Sequence, residues 1–123
     1  MELQTLINAI KERPDFDQAG MILAHNGVVR GTSRDGRSVS GLQVRVDHGR
    51  LADIIEKRRR SPGILDIRVW IRENEELKVG DDVMFLVVAG DIREHVIETL
   101  ETTLNEIKST VTSKTEFFLA DQP

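Results

Sequence analysis

GDDVMFLVVAGDIREHVIETLETTLNEIK, residues 80–108, contains the two elements around which the rest of the chain can be placed. Residues 83–89 are almost uninterruptedly apolar, the composition of a strand covered on both faces. Asp91 and Glu94 stand in D-x-x-E spacing, a capping-box signature for a helix start. Ile92, Val96, Leu100, Leu104, Ile107 and Val111 then recur at intervals of three and four, tracing one face of a helix. Glu94, Glu98, Glu101 and Asn105 fall on the opposite side. The stretch therefore predicts a buried strand followed directly by a long amphipathic helix.

Working outward, Leu3, Leu6, Ile7 and Ile10 keep helical spacing until Pro14, whose ring and missing N–H stop the helix. Residues 20–30 (GMILAHNGVVR) are apolar and read as a strand. Ser33-Arg34-Asp35-Gly36 is a turn whose Asp-Gly pair tolerates positive φ. Residues 27–44 (GVVRGTSRDGRSVSGLQV) thus predict a β-hairpin with Arg30, Arg34 and Arg37 around its tip. Val39, Leu42, Val44 and Val46 form the returning strand, and the slip in alternation between 39 and 42 predicts a bulge near Gly41. Residues 49–61 predict a second helix with Leu51, Ile54 and Ile55 inward. The basic run at residues 57–60 complements the negative end of its dipole. Pro62-Gly63 ends that helix. Leu65, Ile67, Val69 and Ile71 alternate as a strand, residues 75–81 make a turn-rich connection, and residues 115–119 supply a short last strand. The fold class is α+β, one domain over residues 1–123, in the order α-β-β-α-β-β-α-β with a largely antiparallel sheet.

Composition narrows the function. The 123 residues suffice for one core, and with four Phe and one Trp that core must be built from Val, Ile and Leu. The absence of cysteine excludes disulfides, thiolate metal sites and a cysteine nucleophile, and suits a reducing cytoplasm. Residues 1–10 lack the basic start and apolar run of a secretory leader, and no stretch reaches the roughly 18 apolar residues of a membrane span. A cytoplasmic protein is expected. The net charge is -4, yet residues 30–60 hold nine of the seventeen Lys and Arg residues against four acidic ones, leaving +5 there and -9 elsewhere. Such polarity can steer a small anion or a complementary protein surface.

Phosphate-loop, dinucleotide, zinc-protease and nucleophile-elbow motifs are absent. His25, His48 and His95 are too far apart in sequence for a local metal pair, and each fits a surface or core position. No cofactor and no metal are expected. An RNA-binding role for the basic region is disfavoured because it lacks aromatic platforms, Trp70 and Phe85 falling in strands that read as buried. Neither nucleic acid nor membrane is an expected partner. What remains is cationic: Arg30 at a strand end, Lys108 beside Ile107 at the edge of the apolar stripe, and Lys114 before the last strand. By spacing alone these are ordinary surface cations.

Three stretches, AGMILAHNGVVR (19–30), GDDVMFLVVA (80–89) and IREHVIETLETTLNEIK (92–108), are together similar to the large, catalytic subunit of molybdopterin synthase, the MoaE family. The discriminating positions are Gly27, Arg30, Gly80, Asp81, Arg93, Glu98 and Lys108. The resemblance implies the α/β-hammerhead fold of that family. It implies transfer of sulfur from the thiocarboxylated Gly-Gly C-terminus of a small ubiquitin-like carrier subunit to cyclic pyranopterin monophosphate, giving molybdopterin. It also implies a homodimeric core with one carrier per large subunit. Arg30 would bind the substrate phosphate, and Arg93 would complete the substrate site. Lys108 would contact the thiocarboxylate or serve acid–base steps, for which it would be partly buried, with Lys114 auxiliary.

The chain departs from the family pattern where Ile92 replaces the histidine before Arg93, and where Arg72-Glu73-Asn74-Glu75 replaces an H-R-x-G run. After Lys108 the segment STVTSKT lacks the family's proline and tryptophan, and the sequence ends at Pro123 without the family's longer tail. These departures support an alternative, a catalytically impaired relative acting as a dimeric protein-binding or assembly module. Arg93 and Lys108 are fifteen residues apart, which on a helix is about 60° of rotation but ~22 Å of rise. Both can serve one small substrate only if a symmetric dimer supplies Arg93 from one chain and Lys108 from the other.

Overall fold

The computed structural model describes residues 1–119. Helix α1 (Leu3–Lys11) leads through a 3-10 turn to β1 (Met21–Val28). Then follow β2 (Val39–Val46), α2 (His48–Arg59), β3 (Ile64–Ile71), the two-residue β4 (Leu77–Lys78), β5 (Asp82–Gly90), α3 (Arg93–Thr110) and β6 (Thr112–Phe118). Every strand pairing is antiparallel, as expected, but the strands divide between two three-stranded sheets, β1-β5-β3 and β4-β2-β6.

Strand β5 is central to the first sheet, and residues 84–90 are buried. Its alternate side chains enter two cores. Met84, Leu86 and Val88 pack with Ile54 and Ile55 of α2 and with Val96 and Ile107 of α3. Val87 and Ala89 pack on the other face with Ile10, Leu6 and Ile7 of α1, so the spacing read in the first helix is the face it buries. At roughly 1.5–3 kcal/mol for each buried large aliphatic side chain, these two faces supply most of the drive for the sheet. In α2, Asp47 caps the first turn by accepting from the Arg50 backbone N–H at 3.0 Å.

The structure corrects four expectations. The first concerns the hairpin: β1 and β2 do not pair. Gly36 does adopt the positive φ of 87°, and Thr32 and Ser38 form a bridge, so the turn itself is real. The flanking strands nevertheless diverge, β1 to β5 and β2 to β4 and β6. Turn chemistry fixes the local reversal, whereas β1 gains more by burying its apolar face beside β5. The second concerns the capping box. Helix α3 starts at Arg93 after an extended Ile92 without a side-chain cap. The Asp91 N–H is held by the Gly63 carbonyl at the strand end, and its carboxylate accepts from the Ile92 N–H and faces His95 Nδ1 at 2.8 Å.

Third, Ile92 is 50% exposed and so lies off the buried stripe, while Thr99 and Thr103 are buried on it. Fourth, β6 begins at Thr112, which places Lys114 inside a strand, opposite Val44. The bulge expected near Gly41 is present, as a register shift between Val39 and Gly41.

Gly90 marks where α3 and β3 close on β5. A Cβ there would lie 2.6 Å from the Gly63 carbonyl oxygen and 2.9 Å from Val96 Cγ2. Gly90→Ala is expected to destabilise the fold by roughly 1–3 kcal/mol through overpacking, lowering the urea midpoint at unchanged m-value. An unaltered midpoint would show that the junction can open without loss.

Candidate functional site

Strand β1 runs antiparallel to β5, and α3 turns back from the end of β5, so three features meet at one end of the first sheet. These are the C-terminal end of β1, the N-terminal end of β5 and the last turns of α3. An 18-residue helix is about 27 Å long and nine strand residues span about 30 Å, so α3 returns nearly the whole length of β5. Lys108 arrives there by that length match.

Two adjoining cavities open at this end, between the two sheets. The larger, of about 470 Å³, is floored by Ile71, Val83 and Met84 of the first sheet and walled by Leu42 and Val44 of the second. Its ionisable groups are His25, Arg34, Lys108 and Lys114, and Thr112 adds a hydroxyl. The smaller, of about 200 Å³, contains Arg30 together with Arg34, Lys108, Lys114 and Glu116. Val28, Arg34, Leu42, Lys108 and Lys114 border both, so the two form one cationic, apolar-floored cleft.

The loop holding Arg30 and Arg34 is built by its own backbone. The Ser33 N–H donates to the Arg37 carbonyl at 2.9 Å, the Gly36 N–H to the Ser33 carbonyl at 3.0 Å, and the Val39 N–H to the Gly31 carbonyl at 3.0 Å. Arg37 stacks on Phe118, its guanidinium carbon 3.7 Å from the ring centroid, which pins the loop to β6. Arg30 Nε donates to the Thr32 carbonyl at 2.6 Å, orienting the guanidinium while leaving its terminal nitrogens for another acceptor. Of the three hairpin arginines, Arg30 and Arg34 face the cleft and Arg37 braces it.

The structure thus brings together Arg30, Lys108 and Lys114. It does not bring Arg93, which stands at the far end of α3, exposed and 3.4 Å from Glu94. Lys108 is exposed and not partly buried as expected, because the helix presents it to the open mouth of the cleft. Lys114 lies 3.9 Å from Glu116, too far for a tight ion pair.

Sequence reasoning missed Arg34 and His25 as members. In the sequence His25 fits an unremarkable surface or core position, but the period-two alternation of β1 carries the missed signal. Met21 and Leu23 pack in the core beneath α3, and His25 follows on the same face, opposite Leu86. Its imidazole is held below the usual histidine range, first by burial and then by the charge of Lys108. Among the described residues no group of three or more His, Cys, Asp or Glu could hold a metal, and no helix is long and apolar enough to cross a membrane.

Comparison with known proteins agrees with this architecture. Residues 1–110 match the family model described as MoaE protein. The chain resembles molybdopterin cofactor biosynthesis protein E from Burkholderia multivorans at 20% identity and a TM-score of 0.75, covering 98% of this chain and 87% of that one. It resembles molybdopterin synthase from Staphylococcus aureus at 20% identity and a TM-score of 0.72, covering 85% and 79%. A complex of subunits 1 and 2 of molybdopterin-converting factor from Helicobacter pylori matches at 16% identity and a TM-score of 0.70, covering 99% and 86%. At these identities the structural likenesses establish the fold. No curated protein sequence matches significantly. With the family model spanning residues 1–110 of 123, the chain belongs to the MoaE family.

Proposed function

We propose that this protein acts in molybdenum cofactor biosynthesis as the large subunit of molybdopterin synthase. In that role it transfers sulfur from a thiocarboxylated small carrier subunit to cyclic pyranopterin monophosphate, the whole chain serving as one large-subunit domain. The observation that carries this reading is the convergence of Arg30, Lys108 and Lys114, from three different elements, on one cleft. Such a cleft suits a substrate with an anionic phosphate and a flat apolar ring, approached by a donor that ends in a second anion. The floor of Ile71, Val83 and Met84 would take the ring. The free end of the Arg30 guanidinium fits a phosphate bidentately, as a planar fork and not merely as a point charge. Lys108, at the mouth, would meet the carrier's C-terminal thiocarboxylate, with Lys114 beside it.

The small carrier partner is supported by family membership and by the Helicobacter pylori match, a complex of two subunits. A homodimer is the further element of the proposal. Arg93 serves the substrate only if it comes from a second copy, and exposed Ile92, just before α3, and Ile97 on it offer apolar surface that such a contact would cover. The reading carries a cytoplasmic setting, which a cysteine-free sequence suits. The alternative, a dimeric module that binds the carrier without turnover, is favoured by the departures from the family pattern, above all the apolar Ile92 where the family has histidine.

Three outcomes are expected. Sedimentation at micromolar concentration should give twice the 13.9 kDa chain mass, and a monomer throughout that range would remove the shared site. Arg30→Ala should weaken calorimetric binding of cyclic pyranopterin monophosphate by ~1.5–3 kcal/mol, the worth of a charged hydrogen bond. Unchanged binding would return the arginine to the solvated loop. Lys108→Ala should leave the melting curve almost unchanged, since exposed helix positions tolerate Ala well. It should nevertheless abolish molybdopterin formation in an assay reconstituted with thiocarboxylated carrier. Full activity in that variant would refute the role given to Lys108, and an inactive wild type that still binds the carrier would favour the module.

A further inference from the structure

Among the described residues, His25 is the one imidazole lining the cleft, and Glu116, on the smaller cavity, the one carboxylate. The other ionisable side chains on the larger cavity are cations: Lys108 from α3, Lys114 from β6 and Arg34 from the loop after β1. The lining residues from β2, β3 and β5 (Leu42, Val44, Ile71, Val83, Met84) bring no charge. The ring is carried by a rigid strand, opposite Leu86 of the buried β5. Gly27, two residues on and on the same face, leaves the space beside it open: a Cβ there would lie 3.3 Å from His25 Nε2 and 3.8 Å from Met84 Cβ. Burial, and after it the charge of Lys108, hold its basicity below the ordinary histidine range. An imidazole without a hydrogen-bond partner among the described residues, facing an ammonium across a cavity, is placed to act as a base on a bound water.

The sulfur-transfer chemistry leaves a step that needs such a base. A thiocarboxylate that gives its sulfur to a carbon atom of the acceptor remains joined to it through an acyl–sulfur bond. Water must cut that bond to free both carrier and product. We propose that His25 is the proton acceptor for this hydrolysis, an assignment that rests on the sulfur-transfer reading above. The water oxygen bonds to the carrier's terminal carbonyl carbon while one of its protons passes to His25 Nε2. The carbon–sulfur bond then breaks, and sulfur keeps the electron pair as the product thiolate. The carrier leaves as a carboxylate, its second proton going to solvent, and nothing is oxidised or reduced. Lys108 and Lys114 lie where the oxyanion formed on the carbonyl would be stabilised.

The test has a structural arm and a chemical arm. In the structural arm, NMR titration of the whole protein should place the His25 midpoint below the ordinary 6.5. Lys108→Gln, by removing the facing charge, should raise that midpoint. A midpoint at or above 6.5, or one indifferent to Lys108, would overturn the arrangement. In the chemical arm, the protein is mixed with a thiocarboxylated carrier ending in Gly-Gly and cyclic pyranopterin monophosphate, and adducts are followed by intact mass. His25→Gln should form the carrier–pterin adduct at the wild-type rate but hydrolyse it roughly a hundredfold more slowly. Gly27→Ala, which crowds Nε2, should slow the same step. Wild-type hydrolysis should fall as pH drops through the His25 midpoint, and His25→Gln should lose that acid limb. If His25→Gln hydrolyses the adduct as fast as wild type, the assignment alone fails. If wild type transfers no sulfur although His25 titrates as expected, the sulfur-transfer reading fails and takes the assignment with it.

Discussion

Residues 84–90 of β5 are buried while the strand is hydrogen-bonded to β1 along one edge and to β3 along the other. A strand in that position has no free edge and no free face, so every other element must be arranged around it. Helix α1 covers one face, and α2 with α3 the other. Because α3 leaves from the end of β5, it can cover its face only by running back along the strand. That return brings its C-terminal lysine to the end of the sheet where β1 delivers Arg30. The cleft is thus a consequence of how β5 is buried. The second sheet closes it from outside, with Lys114 entering through the pairing of β6 with β2.

The parts legible in the sequence are those where periodicity reports burial directly. The apolar run at 83–89 and the spacing of Leu3, Leu6, Ile7 and Ile10 could be read because a side chain must be apolar to lie in those cores. What periodicity cannot report is which strand lies beside which. The Asp35-Gly36 turn is correctly placed and still does not make a hairpin, because the backbone edge of β1 is satisfied by β5 and not by β2. The same limit hid the site. Arg30 is separated from Lys108 and Lys114 by most of the chain, and all three look like ordinary surface cations until the sheet order is known. His25 was hidden for a different reason: a histidine amid core positions reads equally well as packing, and only the cavity beside Gly27 distinguishes the two.

The basic stretch from residue 30 to residue 60 illustrates how one charge excess is divided between structure and site. Its C-terminal run is largely spent within the fold. Arg58 pairs with Glu106 of α3, Arg59 reaches both the buried Asp66 carboxylate at 3.2 Å and the Ile67 carbonyl at 2.8 Å, and Arg60 pairs with Glu56 one turn back. The Asp66 site matters most, since that side chain is 3% exposed and is also approached by Arg13 at 3.5 Å and Arg68 at 2.7 Å. Three guanidiniums and the Ile67 N–H at 2.8 Å replace the water that a buried carboxylate loses. The exposed Arg60–Glu56 pair, by contrast, contributes only about 0.3–0.5 kcal/mol.

At the other end of the stretch the balance is reversed. Arg37 is committed to Phe118, but among the described residues Arg30 bonds only a carbonyl, and Arg34 borders both cavities together with Lys108 and Lys114. Among the described residues lining them, Glu116 is the single carboxylate. Four cations against one carboxylate in a cleft with apolar walls leave positive charge uncompensated, a cost to the fold that an anion entering the cleft relieves. Low-dielectric walls strengthen that attraction, so the same arrangement draws the anion in and orients it. The apolar floor then limits which anion gains most: one whose charge is attached to a flat ring system buries the ring on Ile71, Val83 and Met84 while its phosphate meets the arginines.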